Sequence, residues 1–454
     1  MNPELSSNGD KLRLWGAVFF MLLTEIILLN RVPRSDFLMN YGLILIMFLF
    51  YFYILYNKKL FSLSTCIRIA ILLRIIALFN EPVLSDDYFR FIWDGKMMLA
   101  HINPFHYTPQ EYILGHRPDV YLNYLLANMN SPEYHTIYPP VMQYLFAFAV
   151  WLFPTNVYGS MLVMKLFIFA AELFSLRLLY LYALKKNIGT RNILWYALNP
   201  LIIVELTGNV HFEGLLLCFF LALLYYLDSG KYKSAGIFWA LAVCTKMIPL
   251  ILAPLLFRYM GWRKFILFCS LALGTMLLLT LPFLSVPFIE GIRSSGRLFF
   301  NLFEFNAPVL YLIRSIAYHY VDYDIIEEVA PKLAVISLIL ILMISFWPTK
   351  KFSFETKSLW IFSIYFLFST MVHPWYPAIL ILLCVFTRYK FPIIFSLLIP
   401  LSYFPYRFRE YDENMWIILL EYGMLFIFLM LEWRSNIRQN HSLLYLQKGY
   451  STPN

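Results

Sequence analysis

Apolar runs of about 17–25 residues recur along this chain, each long enough to cross the hydrocarbon core of a bilayer. Inside lipid every backbone N–H and C=O must be satisfied within its own segment, so the runs are predicted to be helices. Strands of a transmembrane barrel would alternate apolar and polar residues, whereas these runs are apolar on all sides. Charge supports the same reading: 14% of the 454 residues are charged, against about 25% in a soluble domain. That leaves too little polar surface to coat a water-facing body of this size. The expected fold class is all-α, a polytopic transmembrane helical bundle forming a single domain over residues 1–454.

Predicted spans are 14–30, 37–56, 61–79, 138–153, 160–184, 193–208, 213–228, 263–285, 331–347, 358–373, 375–387, 391–405 and 415–433. Residues 234–257 are apolar but carry Lys246 in their middle, with Pro249 close behind. Proline removes a helix donor, so this stretch is expected to be two half-helices broken inside the bilayer. The N-terminal run has no small-residue cleavage site and reads as a retained first helix. The five cysteines (66, 218, 244, 269 and 384) contain no CxxC pair and read as small core residues.

The net charge of +9 does not point to nucleic acid, because Lys and Arg are scattered through short loops between the apolar runs. Lys58, Lys59, Lys185, Lys186, Arg191, Lys231, Lys233, Arg258, Arg263, Lys264, Lys350, Lys351, Lys357, Arg388, Lys390, Arg434 and Arg438 all fit cytoplasmic loops. One conflict follows. Three predicted spans separate Lys59 from Lys185, and an odd number cannot return the chain to the same side. Either 138–153 is broken or 61–79 is not a simple span. The long insertion 81–137 then falls outside, with an expected pair of short helices along the membrane surface.

Polar residues gather at the same outer edge. Asp86 and Asp87 follow Ser85, a residue suited to cap a helix, and Asp87, Arg90 and Asp94 share one helical face. This pattern fits a capped interfacial helix with surface ion pairs, and equally a general base at the bilayer edge. His211 and Glu213 sit at a tight turn, either an ordinary hairpin or a substrate contact. His373, flanked by Pro374, Trp375, Tyr376 and Pro377, closes a span in a manner unusual for a plain helix end. Lys246 suits a phosphate, a buried ion pair or a snorkelling side chain. Arg293 and Arg297 could clamp a phosphate or simply be solvated. No P-loop, GxGxxG, HExxH or GxSxG motif is present. A non-enzymatic transporter or flippase for a lipid-linked sugar shares the broken helix and intramembrane lysine, but it should spread ionisable residues over several depths.

Ser85-Asp86-Asp87-Tyr88, Trp93-Asp94-Gly95, Asn103-Pro104-Phe105, Tyr138-Pro139-Pro140, Asn199-Pro200, Gly208-Asn209-Val210-His211-Phe212-Glu213, Thr245-Lys246 and His373-Pro374-Trp375-Tyr376 occur in this order. Together they resemble the GT-C class of integral membrane glycosyltransferases, and within it the bacterial polyprenyl-phosphate-mannose-dependent mannosyltransferases. The resemblance implies Asp86 or Asp87 as general base. It implies a polyprenyl-phosphate-linked hexose, mannose in these relatives, as donor, and a glycan or glycolipid as acceptor. Arg90, Asp94, Tyr138, His211, Glu213, Lys246, Arg293, Arg297, His373 and Tyr376 are the expected substrate-binding residues. Location in a bacterial inner membrane with the site on its outer face is implied as well. Relatives of this class differ in metal use, and no third carboxylate is obviously placed here, so a divalent metal stays open as cofactor. The resembling relatives carry one helix before the acidic loop, whereas two extra apolar runs precede it here.

Overall fold

The computed structural model describes residues 8–57, 60–116, 119–130, 132–297, 303–348, 352–408 and 413–448; Lys58, Lys59, Lys350 and Lys351 lie outside the described residues. Helices α1 (Asn8–Arg31), α2 (Phe37–Tyr56) and α3 (Leu63–Leu78) lead into α4 (Asp87–Leu99), α5 (Pro109–Gly115), α6 (Val120–Asn128) and α7 (Pro140–Leu152). Then come α8 (Val157–Lys185), the one-turn α9 (Leu194–Ala197), α10 (Glu213–Asp228), α11 (Tyr232–Thr245), α12 (Ala253–Met260) and α13 (Trp262–Thr280). The chain finishes with α14 (Val286–Arg297), α15 (Pro308–Ala317), α16 (Ile326–Phe346), α17 (Phe354–Phe368), α18 (Ala378–Cys384), α19 (Phe391–Leu398) and α20 (Met415–Lys448). Among the described residues the β-structure amounts to one isolated bridge, Phe305 with Met371.

Among the described residues five helices are long and apolar enough to cross a membrane: Asn8–Arg31, Phe37–Tyr56, Trp262–Phe283, Ile326–Phe346 and Met415–Ser435. Their faces divide as a lipid-embedded helix requires. In α1, Leu14, Val18, Met21, Leu28 and Leu29 are buried, while Phe19, Phe20, Leu23 and Ile26 are exposed. On α13, Ile266, Leu273, Leu277 and Leu278 are bare, as are Val335, Leu338 and Ile339 on α16. Apolar surface this continuous is stable against acyl chains and a liability in water. The chain is a polytopic membrane protein.

Charged contacts define two ends. At one, Lys186 pairs with Asp228 (3.2 Å) and Glu355 (3.1 Å), Arg191 Nη2 donates to the Phe61 carbonyl (2.9 Å), and the Lys390 and Phe391 amides donate to Glu432. Most of the described basic clusters gather there. At the other end Arg34, in the α1–α2 turn, pairs with Asp86 (2.7 Å). The odd-span conflict disappears in this frame. Helix α7 has 13 residues, about 20 Å, short of the roughly 30 Å core. Helix α8, with 29 residues, spans about 43 Å and returns the chain to the basic end. Tyr158 at its start donates to the carbonyl of Phe79, just past α3. Residues 138–153 are therefore not a span.

Several other predicted spans are arms of hairpins. Trp239 Nε1 donates to the Pro249 carbonyl (3.1 Å), folding the chain back on α11 and leaving Lys246 at the tip. This is the break expected over 234–257. Residues 193–208 and 213–228 form a second fold-back, with a 110° bend between Ile202–Gly208, a wide-turned helix, and α10. A third joins α17 to α18 through residues 369–377.

The insertion 81–137 differs from the expected pair of surface helices. It forms three short helices, and α4 is buried from Phe89 to Gly95. Its contact with α7 is made by Gly95: a Cβ there would lie 2.6 Å from the Phe146 carbonyl oxygen and 2.8 Å from Val150. Gly95→Ala is expected to force α4 off α7 and cost about 1–3 kcal/mol. A melting curve in detergent that matches wild type would disprove this close approach.

Candidate functional site

Three hairpin tips and the start of α4 meet at the end of the molecule opposite the basic cluster. Ser85 does not cap α4 as expected. Asp86 occupies the cap position without a side-chain bond, and the Ser85 hydroxyl accepts from the Asp87 amide (3.3 Å). The two acids therefore diverge. Asp86 takes the Arg34 guanidinium, which lies 4.2 Å over the Tyr406 ring. Asp87 accepts from the Asn130 amide (2.8 Å).

Asp94 has a structural environment. It is buried and accepts from Arg90 (2.9 Å), Gln143 (3.0 Å) and Thr136, which fastens residues 134–138 onto α4. Arg90 also donates to the Tyr134 carbonyl (2.9 Å), and its buried Nη2 has no protein partner among the described residues. Tyr138, held by this network, packs edge-on to Phe91 (4.9 Å).

The tip at 208–213 is pinned to the approach to the acids. Asn209 accepts from the Leu84 amide (3.2 Å) and donates to the Val204 carbonyl (3.0 Å). Val210 is held at φ +63, a left-handed conformation that a β-branched residue adopts only under constraint. The turn that results aims His211 inward. Its Nδ1 donates to the Glu205 carbonyl (2.9 Å), and Nε2 is buried without a protein partner among the described residues. The imidazole stacks on Trp375 (3.5 Å), whose other neighbour is the His373 ring (4.6 Å, 2° between planes). At the tip that ends α11, Lys246 forms an ion pair with Glu213 and sits 4.0 Å over the Tyr376 ring. The lysine thus has a carboxylate partner, one of the alternatives open from sequence.

Electrostatics join the two groups. Burial, then the charges of Glu213 and Asp87, raise the Tyr376 phenol above its ordinary range. Burial followed by Asp87 does the same to Tyr138. Asp87 therefore lies within electrostatic reach of both tyrosines. Burial, with the positive charge of Lys246 and the His211 ring, lowers the His373 imidazole well below its usual value. Arg293 is exposed on α14 and makes no ion pair among the described residues; the Arg297 side chain lies outside them. Sequence reasoning missed Arg34, Asn130 and the role of Trp375 as the plate between two histidines. Arg34 could have been suspected only as an arginine in a turn between two apolar helices. Among the described residues no three His, Cys, Asp or Glu side chains gather to hold a metal.

Two outcomes are expected. Lys246→Met strands the Glu213 carboxylate and should cost about 1–3 kcal/mol, most of it recovered in the double variant with Glu213→Gln. Additive melting losses in a double-mutant cycle would refute the coupling. For His373 the folded imidazole binds its proton less readily than the unfolded one. The unfolded state takes up the extra proton as pH falls below about 6.5, so stability drops on acidification. His373→Gln should flatten the fall in melting temperature between about pH 7.5 and 5.5. An unchanged slope would contradict it.

A search of the curated proteins gives no match. The model of the MptA_B family, described as alpha-(1->6)-mannopyranosyltransferase, N-terminal domain, matches residues 23–261. The match takes in more than half of the chain, including Asp86, Asp87, His211, Glu213 and Lys246. The chain belongs to this GT-C type family of alpha-mannosyltransferases.

Proposed function

We propose that this mannosyltransferase takes mannose from a polyprenyl-phosphate donor and passes it to a hydroxyl of a glycan or glycolipid in one inverting displacement, with Asp87 as general base. The observation that carries the reading is the bond from the Leu84 amide to Asn209, which pins the turn bearing Glu213, and with it Lys246, against the stretch that leads into Asp87. In this reading the base and the cation flank the bound anomeric carbon.

In the step, the acceptor O–H gives its proton to the Asp87 carboxylate as its oxygen bonds to the anomeric carbon. The bond from that carbon to the phosphate oxygen breaks, and its electron pair leaves with the polyprenyl phosphate. Lys246 has three N–H donors; Glu213 uses one, and others can meet the developing phosphate charge. Arg90 Nη2 and His211 Nε2 are further buried groups with bonding capacity to spare. A single displacement that yields an α product requires a β-linked donor. One carboxylate suffices as base, unlike the paired acids of glycoside hydrolases. We place the site on the outer face of a bacterial inner membrane, because most of the basic residues collect at the opposite end.

Transfer from radiolabelled polyprenyl-phosphate mannose by protein in nanodiscs tests this. Asp87→Asn should lose about 10²–10⁴ in rate, with donor binding retained. Asp87→Asn at full rate would eliminate it as the base, and a larger loss in Asp86→Asn would move the role next door.

A further inference from the structure

Beside the acids, on the side away from Lys246, lies an open cleft of about 560 Å³ lined by Pro33, Arg34, Val83, Asp86, Tyr406 and Phe408. Its volume falls within the range of small-molecule sites. We infer that this cleft is the acceptor subsite and that it seats a neutral sugar, with Arg34 and Asp86 bonding hydroxyls and Phe408 serving as a stacking face. The assignment rests on the proposed transfer to a glycan.

The chemistry of the lining selects the ligand. Arg34 has only donors and Asp86, ionised, only acceptors. They form a salt bridge of 2.7 Å yet remain partly open, with 27% and 41% of their side chains exposed. A phosphate drawn to Arg34 would meet the Asp86 carboxylate, and a cation drawn to Asp86 would meet the guanidinium. A sugar diol is both donor and acceptor, so it can bond to both residues while leaving their charges paired. The Arg34 guanidinium already covers one face of Tyr406 (4.2 Å), which fixes its position before a ligand arrives. Phe408 keeps 49% of its surface exposed although the Arg407 guanidinium lies 4.9 Å over its ring and Phe404 packs edge-on, and the uncovered part suits an apolar sugar face. The prolines Pro33 and Pro405 stiffen the two turns that form the walls.

The position fits as well. Asp86 lines the cleft, and its neighbour Asp87 is the first residue of α4. An acceptor held at Asp86 would present a hydroxyl next to the base. Arg34 comes from the α1–α2 turn, so the first two helices supply one wall of the subsite. Arg34 is in this reading a binding residue for the acceptor, with no part in the chemical step.

The test is binding of an α-(1→6)-linked mannotriose to the full chain in nanodiscs without donor, by saturation-transfer NMR and calorimetry. Wild type should bind, and Arg34→Ala and Phe408→Ala should each weaken binding about tenfold. Phe408 is exposed and its replacement should leave the melting curve unchanged, so a misfolded Arg34 variant would not remove the test. No binding by wild type, unchanged binding in Phe408→Ala, or displacement of the trisaccharide by inorganic phosphate would overturn the assignment. Binding that depends on both residues, with no transfer from polyprenyl-phosphate mannose, would uphold the cleft and reject the proposed donor. Transfer with binding indifferent to both would do the reverse.

Discussion

The ion pair between Glu213 and Lys246 is the contact on which the rest of the site depends. Each residue sits at the tip of a different fold-back, one opening α10 and one ending α11. Glu213 is nearly buried, and the half-buried Lys246 neutralises its carboxylate. Their pairing brings Tyr376 beneath the ammonium and so draws in the third tip. The Trp375 ring, one residue earlier, then falls between His211 and His373. One electrostatic requirement therefore fixes the mutual position of three turns that are far apart in the chain.

Below the site, buried charges serve the scaffold. Arg74 and Glu172, both without solvent exposure, bond at 2.8 Å, and Tyr196 donates to the same carboxylate. Lys165 donates to the carbonyls of Ala77 (3.0 Å) and Asn80 (2.6 Å), which are left over where α3 ends. These residues lie deeper than the acids, where a transport path would also place charge. Their bonds go to helix ends and to each other, so they hold α3, α8 and the approach to Asp86 in register.

Much of this was legible in the sequence, and the limits have physical causes. Lipid-spanning runs announce themselves by composition, and five of them are whole helices. The break at Lys246 was visible because a charge followed by proline is costly inside an apolar helix. The turn at 208–213 was legible, but its 110° bend and the shortness of α7 were hidden, because an apolar arm that packs on protein reads the same as one that spans lipid. At the site, Asp86, Asp87, His211, Glu213, Lys246, His373 and Tyr376 were singled out as polar residues in apolar surroundings. Their division into a cleft side and a lysine side was not, since it depends on Arg34, whose partner is 52 positions away. Asp94 looked as open as Asp87. Only packing shows it consumed by Gln143, Thr136 and Arg90.

The hairpin arms also bear on how such a protein is assembled. Each of these fold-backs carries a polar tip from the basic end to the opposite end of the molecule, as α10 does between Asp228 and Glu213. The obstacle is the tip, because Glu213 and Lys246 are each costly in lipid until they meet. The whole helices can be inserted one by one, whereas these two hairpins have to dock together. The candidate site is thus built where segments far apart in the chain dock, and a substitution at either charge bears on assembly as well as on the site.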